Sequence, residues 1–188
     1  MNLLLAQVGQ STWERDGRFE SPSGAPLTED GFKHAMRLTD ELRAQDARTV
    51  YASDGDAEQQ TAKVIGHHLR LRMHTEPSLN ELDFGLWQGL LIEDIHLRQP
   101  RIFKQWLDDP ASTCPPGGET LQDAQMRLCD AFRDVMKHSR RLPTVVVLRP
   151  LAMGLIRCHL AGTPLTDLWH VVDRDFTWET LDVAPERF

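Results

Sequence analysis

Two places in the chain combine residue types that can bind a small anion. The first is a loop of Gly9, Gln10 and Ser11, which follows an apolar run at the amino terminus and whose main-chain N–H groups could meet an anion. The second is Arg149, which follows a valine-rich run and can donate a pair of hydrogen bonds to a phosphate or a carboxylate. The chain also has eight histidines, so a nucleophile has to be sought among them.

The elements that must position these residues alternate between strand and helix. Short apolar or alternating runs predict five strands, at residues 3–8, 49–53, 69–75, 144–148 and 177–183. Helical patterns lie between them, and Thr28 and Thr120 are suited to cap two of these helices. This order predicts an α/β fold with a mostly parallel sheet and helices on both of its faces.

Composition and net charge indicate the type of protein and exclude some classes of binding partner. With 188 residues, 40% of them hydrophobic, residues 1–188 are predicted to form one globular domain. The net charge of -7 argues against nucleic acid and against an anionic membrane surface. No apolar run approaches the roughly 20 residues that span a bilayer, and the start lacks the basic residues of a signal peptide.

The three cysteines, Cys114, Cys129 and Cys158, lack the spacing of a redox pair or a zinc site. They are interpreted as reduced thiols, which are typical of cytoplasmic proteins. We therefore expect a cytoplasmic protein with no metal and no cofactor.

The amino-terminal segment resembles the histidine-phosphatase (phosphoglycerate-mutase-like) superfamily. In that family the first strand ends in Arg-His-Gly, followed by Glu or Gln, then Thr or Ser, with a Trp soon after. Four residues fit this pattern: Gly9, Gln10, Ser11 and Trp13. The two preceding residues do not fit, because Gln7 stands at the position of the phosphate-binding Arg and Val8 at that of the nucleophilic His.

The resemblance extends over most of the chain. Further segments match the family in order, at residues 26–31, 51–53, 60–62, 79–89, 116–121 and 145–150. It implies a three-layer α/β/α, phosphoglycerate-mutase-like fold. It also places the family's second phosphate-binding Arg on Ala57, its acidic residue on Glu81, and its second catalytic His on Arg149.

Such a site works through a phosphohistidine, a carboxylic acid that protonates the leaving oxygen, and cations that hold the phosphate. The side chain of Val8 has no lone pair with which to attack phosphorus. Glu81 remains as a vestigial acid, but it has no nucleophile to work with. The resemblance therefore implies a catalytically inactive member with a binding, regulatory or scaffold role. The alternative is a phosphomonoester phosphatase or another hydrolase that uses relocated residues in the same cleft.

The vestigial phosphate pocket is predicted to consist of eight residues: Gln7, Val8, Gly9, Gln10, Ser11, Ala57, Glu81 and Arg149. Two interpretations of Arg149 stay open. It either supplies a residual anion site or is a buried cation neutralised by Glu81, and the cost of burying an unpaired charge favours the ion pair. The expected partners are a small anion or phosphorylated ligand bound weakly, a protein partner or a second copy of the chain, and neither nucleic acid nor membrane.

Overall fold

The computed structural model describes residues 2–139, 142–173, 176–184 and 187–188. Its five strands are β1 (Asn2–Gln7), β2 (Thr49–Ala52), β3 (Arg72–Thr75), β4 (Thr144–Leu148) and β5 (Trp178–Asp182). They form one sheet in the order β3-β2-β4-β1-β5. β5 runs antiparallel to β1, and the other three pairs of neighbours are parallel. The mostly parallel sheet predicted from the sequence is confirmed.

Helices connect the strands and cover the sheet. Their bounds are α1 (Thr12–Arg15), α2 (Glu29–Leu42), α3 (Asp56–Leu69), α4 (Ile92–Arg98), α5 (Pro100–Asp108), α6 (Leu121–His138), α7 (Pro150–Ala161) and α8 (Leu168–Val171). Short 3₁₀ turns occupy Arg43–Gln45, Pro77–Leu79, Gly85–Trp87, Pro110–Ser112 and Leu165–Asp167. Within the described residues, none of the helices combines the length and apolar character needed to cross a membrane.

Alternating side chains of the central strands separate two apolar clusters, one on each face of the sheet. On one face Leu4 and Val145 pack with residues of α2 and α3. On the other face Leu5 and Val146 pack with residues of α6 and α7. These clusters make the three layers, α/β/α, that the family resemblance implied.

Two helix starts follow from local side-chain capping. Thr28 accepts a hydrogen bond from the N–H of Gly31 at 3.0 Å, and Thr120 accepts one from the N–H of Asp123 at 3.1 Å. The third strand is shorter than predicted, because α3 continues through Leu69. Arg70 then ends α3 in the left-handed region, with φ of 54°, so β3 begins only at Arg72.

The carboxyl ends of β1 and β4 bring the predicted site residues to one edge of the sheet. Gln7 is the register partner of Leu148, and the N–H of Val8 donates to the carbonyl of Leu148 at 2.9 Å. Val8 and Arg149 therefore follow neighbouring strands at the same edge, which is where α/β sheets bind their ligands.

Candidate functional site

Val8 and Ala57 lie in the apolar core rather than in an open pocket. Val8 is 3% exposed and Ala57 is fully buried, and both belong to the cluster between the sheet and helices α2 and α3. These are the positions at which the family resemblance places a nucleophilic His and a phosphate-binding Arg. The space around them is filled by apolar packing, so neither residue presents a group to a ligand.

The loop that follows β1 is held by contacts within the protein. The N–H of Gly9 donates to the hydroxyl of Thr61 at 3.1 Å, so it is engaged inside the fold rather than offered to an anion. Gly9 and Gly31 pack so closely that a Cβ on Gly9 would lie 2.3 Å from the carbonyl oxygen of Gly31. Gln10 is exposed, and its carbonyl accepts from the N–H of Thr28 at 2.9 Å. The loop conformation therefore depends on packing against the start of α2.

Ser11 is fully buried and links this loop to an acidic residue. Its hydroxyl accepts from the N–H of Glu14 at 2.9 Å, which caps the short helix α1. The same hydroxyl donates to the carboxylate of Glu20. Ser11 thus orients Glu20, a residue that the sequence analysis did not single out.

Arg149 is 3% exposed, and two carboxylates neutralise it. Its Nε lies 2.5 Å from Oε1 of Glu58 and its Nη2 lies 3.3 Å from Oε2 of the same residue, a forked contact. Its Nη1 lies 3.0 Å from Oε1 of Glu20. Burial lowers the pKa of Arg149, but Glu58 and Glu20 outweigh this effect and raise it, so the guanidinium stays charged.

The ion pair predicted from the sequence is therefore right about Arg149 and wrong about its partner. Glu81 was expected to neutralise the guanidinium, whereas Glu58 and Glu20 make the contacts. The physical reason is the position of α3, whose first turn carries Glu58 beside Ala57 at the carboxyl edge of the sheet. Glu81 influences Arg149 only through the electrostatic field, without an ion-pair contact among the described residues.

Glu58 and Glu20 are the functional residues that the sequence analysis missed. Glu58 is 3% exposed, and a glutamate in the first turn of a helix is too common a feature to indicate a buried ion pair. Glu20 lies in an irregular segment where no pattern marks it. The one available signal was the new cation itself, because a buried Arg149 required a carboxylate somewhere nearby.

Glu81 is a buried carboxyl group, 5% exposed, with a local hydrogen bond. Its Oε1 accepts from the N–H of Leu82 at 2.8 Å. Burial raises the pKa of Glu81 to about 7, while the hydrogen bond from Leu82 and the charge of Arg149 act in the opposite direction. Glu81 therefore changes its charge near neutral pH.

The segment that carries Glu81 is fixed by Arg127 of α6. Arg127 donates to the carbonyl oxygens of Ser78 and Asn80, both at 2.9 Å, and forms an ion pair with Glu119. Glu119 in turn accepts from the N–H of Asp83 at 2.9 Å. The backbone on both sides of Glu81 is therefore anchored to α6 and to the residue Glu119 that precedes it.

A cavity of about 290 Å³ opens beside Arg149 and Glu81. Aromatic residues form much of its wall: Phe19, Phe84, Phe103, Trp106 and Trp169. Charged residues also line it: Glu14, Arg18, Glu20, Glu81 and Arg149. Of the eight residues predicted to form the pocket, the structure places Glu81 and Arg149 in this lining. No group of three or more His, Cys, Asp or Glu in the described ranges is arranged to hold a metal ion.

The sequence matches the family model for the histidine phosphatase superfamily (branch 1) over residues 3–188. The chain belongs to the histidine phosphatase superfamily. This confirms the family resemblance read from the sequence motifs. It also means that Gln7, Val8, Ala57 and Arg149 lie within a histidine-phosphatase fold.

Several relatives of this superfamily member are named as phosphatases or as probable phosphoglycerate mutases. Phosphoserine phosphatase 1 from Hydrogenobacter thermophilus is 28% identical over 169 residues, which cover 90% of this chain and 80% of the relative. The solved structure of Bacillus stearothermophilus YhfR has a TM-score of 0.85 at 25% identity and covers 89% of this chain and 83% of that one. The structure of the α-ribazole phosphatase from Shigella flexneri has a TM-score of 0.84 at 24% identity, and the match covers 100% of this chain and 93% of that one. This similarity shows that the two proteins share a fold.

Proposed function

We propose that this histidine-phosphatase superfamily member does not transfer phosphoryl groups and instead acts by binding a ligand in the cleft beside Arg149. The main support is the pairing of Arg149 with Glu58 and Glu20, because these two carboxylates neutralise the buried guanidinium of the cleft. A phosphate dianion arriving there would meet two carboxylates and would have to displace a forked ion pair. Val8, which follows the neighbouring strand β1, has no atom that can accept a phosphoryl group.

The chemistry of the reaction explains why these changes act together. Phosphoryl transfer depends on positioning and on positive charge around the transferred group. The loss of a catalytic nucleophile alone can cost on the order of 10⁶ in turnover when catalytic groups act as a unit. Here the position of the nucleophile and that of one cation are both occupied by buried apolar side chains, Val8 and Ala57.

The second candidate is a phosphatase or another hydrolase with relocated residues, and the names of the relatives favour it. It also has support from Glu81, whose raised pKa suits a general acid. A new nucleophile is the difficulty. Ser11 is fully buried and bonded to both Glu14 and Glu20. Nε2 of His34 lies 3.3 Å from the carbonyl oxygen of Gln7, and His34 is not among the residues lining the cavity in the described ranges.

We expect no phosphatase or mutase turnover. The purified chain would be incubated with p-nitrophenyl phosphate, phosphoserine and 3-phosphoglycerate, and acid-labile phosphohistidine would be sought on the protein. Glu81→Ala, purified in parallel, reports contaminants, because a contaminating phosphatase would be equally active in both samples. Turnover near 1 s⁻¹, the low end of typical enzyme values, that disappears in Glu81→Ala would contradict the proposal.

Restoring the family residues separates the effect of the nucleophile from that of the carboxylates. Val8→His alone should stay near background, because catalytic groups contribute non-additively. The fourfold reversion Gln7→Arg, Val8→His, Ala57→Arg and Arg149→His still leaves the carboxylate of Glu58 next to position 149. The same variant with Glu58→Ala added is expected to have higher phosphatase activity than the fourfold variant, because this carboxylate no longer repels the phosphate. Full activity from Val8→His alone would show that the existing site holds phosphate well.

We propose that the protein works in the cytoplasm, on the basis of its three unpaired cysteine thiols, two of which are buried. A protein partner or a second copy of the chain stays an alternative to a small ligand. Anion-dependent thermal shifts distinguish a ligand-binding cleft from an inert scaffold, because a ligand that binds only the folded state stabilises it.

A further inference from the structure

The cavity has a continuous aromatic wall. The ring centroids of Phe19 and Phe84 are 5.0 Å apart, those of Phe84 and Trp106 are 5.9 Å apart, and those of Trp106 and Trp169 are 5.1 Å apart. The last two pairs meet edge to face, an arrangement that holds each ring in a defined orientation. Nε1 of Trp169 also donates to the carbonyl oxygen of Trp106 at 3.0 Å. The packed rings therefore form an ordered apolar surface, which is suited to the apolar group of a ligand.

The charged residues that line the same cavity are mostly acidic. Three carboxylates line it, those of Glu14, Glu20 and Glu81, and Glu58 lies behind Arg149. Arg149 is already shared by Glu58 and Glu20. The second cation, Arg18, donates through Nη1 to the carbonyl oxygen of Gly89 at 2.7 Å. With every group ionised, three carboxylates and two guanidinium groups line the cavity and a fourth carboxylate, that of Glu58, lies against Arg149, so the net charge of the site is negative and disfavours anions.

The carboxylates of the cavity can accept more hydrogen bonds than the protein donates to them. Oε2 of Glu20 is buried, and among the described residues no hydrogen-bond donor meets it. Glu81 is 5% exposed and lines the cavity, and the hydrogen bond that it accepts from the N–H of Leu82 uses only Oε1. A buried carboxylate oxygen without a donor is costly. A cationic ligand would relieve that cost where an anionic ligand would increase it.

We propose that this cavity binds an organic cation: a protonated or quaternary amine that carries an apolar or aromatic group, with its charge against Glu20 and Glu81 and its apolar part against the aromatic wall. This deepens the proposed binding function and rests on it. Cations are attracted both to carboxylates and to the faces of aromatic rings, most strongly to Trp. A volume of about 290 Å³ suits a small ligand of this class.

The affinity should depend on pH through Glu81. The charged groups around it are Arg149, Glu58, Arg127 and, across the cavity, Glu20. Below a pKa of about 7 the carboxyl of Glu81 is protonated and cannot attract the ligand's charge. Burial also raises the pKa of Glu20, although the charge of Arg149 and the hydrogen bond from Ser11 oppose this. Protonation of Glu20 at low pH would likewise weaken the binding of a cation. Binding of a cation should therefore strengthen as the pH rises.

The test compares benzyltrimethylammonium, whose charge does not depend on pH, with its neutral carbon analogue neopentylbenzene. Binding is followed by the fluorescence of the tryptophans, two of which line the cavity. At pH 8 the cation should bind at least about tenfold more tightly than the neutral analogue, a difference that one favourable charge contact provides. Its affinity should rise about tenfold from pH 6 to pH 8, as expected when only the ionised form of a group with a pKa near 7 binds.

Glu81→Gln keeps the size of the side chain and removes its charge. It should weaken binding of the cation at pH 8 about tenfold and flatten the pH dependence, with little effect on the neutral analogue. Glu29→Gln is the matched control, because Glu29 is exposed at the start of α2 and does not line the cavity. If Glu81→Gln does not fold, the comparison of the cation with the neutral analogue on the unmodified protein decides the question alone.

Equal binding of the two probes, or tighter binding of phenyl phosphate than of the cation, would overturn the inference. Phosphatase assays on the same preparations keep the two proposals apart. Absent cation binding without turnover rejects the organic-cation ligand alone, and turnover that depends on Glu81 rejects the non-catalytic function as well.

Discussion

Glu58→Gln is expected to lower the free energy of unfolding by about 3 kcal/mol, the lower end of the range for breaking a buried ion pair. Glu58 and Arg149 are each 3% exposed, so removing one charge leaves the other without solvent and with a single carboxylate, Glu20. The amide oxygen can still accept one hydrogen bond, which limits the loss. Urea unfolding followed by tryptophan fluorescence measures the change.

Two further variants make this result specific. Glu29→Gln removes a charge of the same kind from an exposed pair with Lys33, and little change is expected there. Adding Arg149→Met to Glu58→Gln removes the stranded cation, so the double variant should be more stable than Glu58→Gln alone. If Glu58→Gln unfolded at the same urea concentration as the unmodified protein, the pair would not anchor the cleft.

Glu81→Gln is expected to change how stability depends on pH. The pKa of Glu81 rises from its ordinary 4.5 to about 7 in the folded protein. Between these values the folded state holds a proton that the unfolded state has released, so the contribution is present below pH 4.5 and is lost as the pH rises through 7. Relative to the unmodified protein, Glu81→Gln should gain about 3 kcal/mol of stability between pH 4.5 and pH 8.

This outcome distinguishes the observed ion pair from the one predicted from the sequence. Had Glu81 been the partner that neutralises Arg149, its replacement by glutamine would weaken the protein at neutral pH and free Arg149 for sulfate or phosphate. The measurement is a series of urea unfolding curves for both proteins from pH 4.5 to pH 8. A difference in stability that did not vary with pH would show that Glu81 does not titrate in this range.

Much of the fold followed from local patterns in the sequence. The valine-rich run 144–148 is the central strand β4, because β-branched side chains buried on both faces favour that structure. Thr28 and Thr120 cap α2 and α6, because a cap acts within three residues of itself. The end of α3 could not be placed in this way. The left-handed conformation of Arg70, which ends the helix, is unusual for a residue other than glycine, so no glycine marked this position in the sequence.

The candidate site was predictable only in part. Aligning the family's motifs brought Val8, Ala57, Glu81 and Arg149 to one edge of the sheet, and the order of the strands confirms that β1 and β4 are neighbours there. The partners of Arg149 did not follow, because 91 residues separate Glu58 from it in the chain. Glu20 is held by a hydroxyl and a guanidinium from two other segments, contacts that no local pattern encodes.

The sequence by itself determined the chemistry available at positions 8 and 57. Neither a valine nor an alanine side chain carries a lone pair or a charge in any fold, so Val8 cannot act as a nucleophile and Ala57 cannot bind an anion through its side chain, whatever surrounds them. Only the tertiary structure decided which groups lie around the cleft. The distances among Arg149, Glu58 and Glu20, the burial that raises the pKa of Glu81, and the aromatic wall of the same cavity all arise from segments far apart in the chain. Electrostatic energy depends on distances through space and on exclusion of water, and the packing of the sheet and its helices sets both.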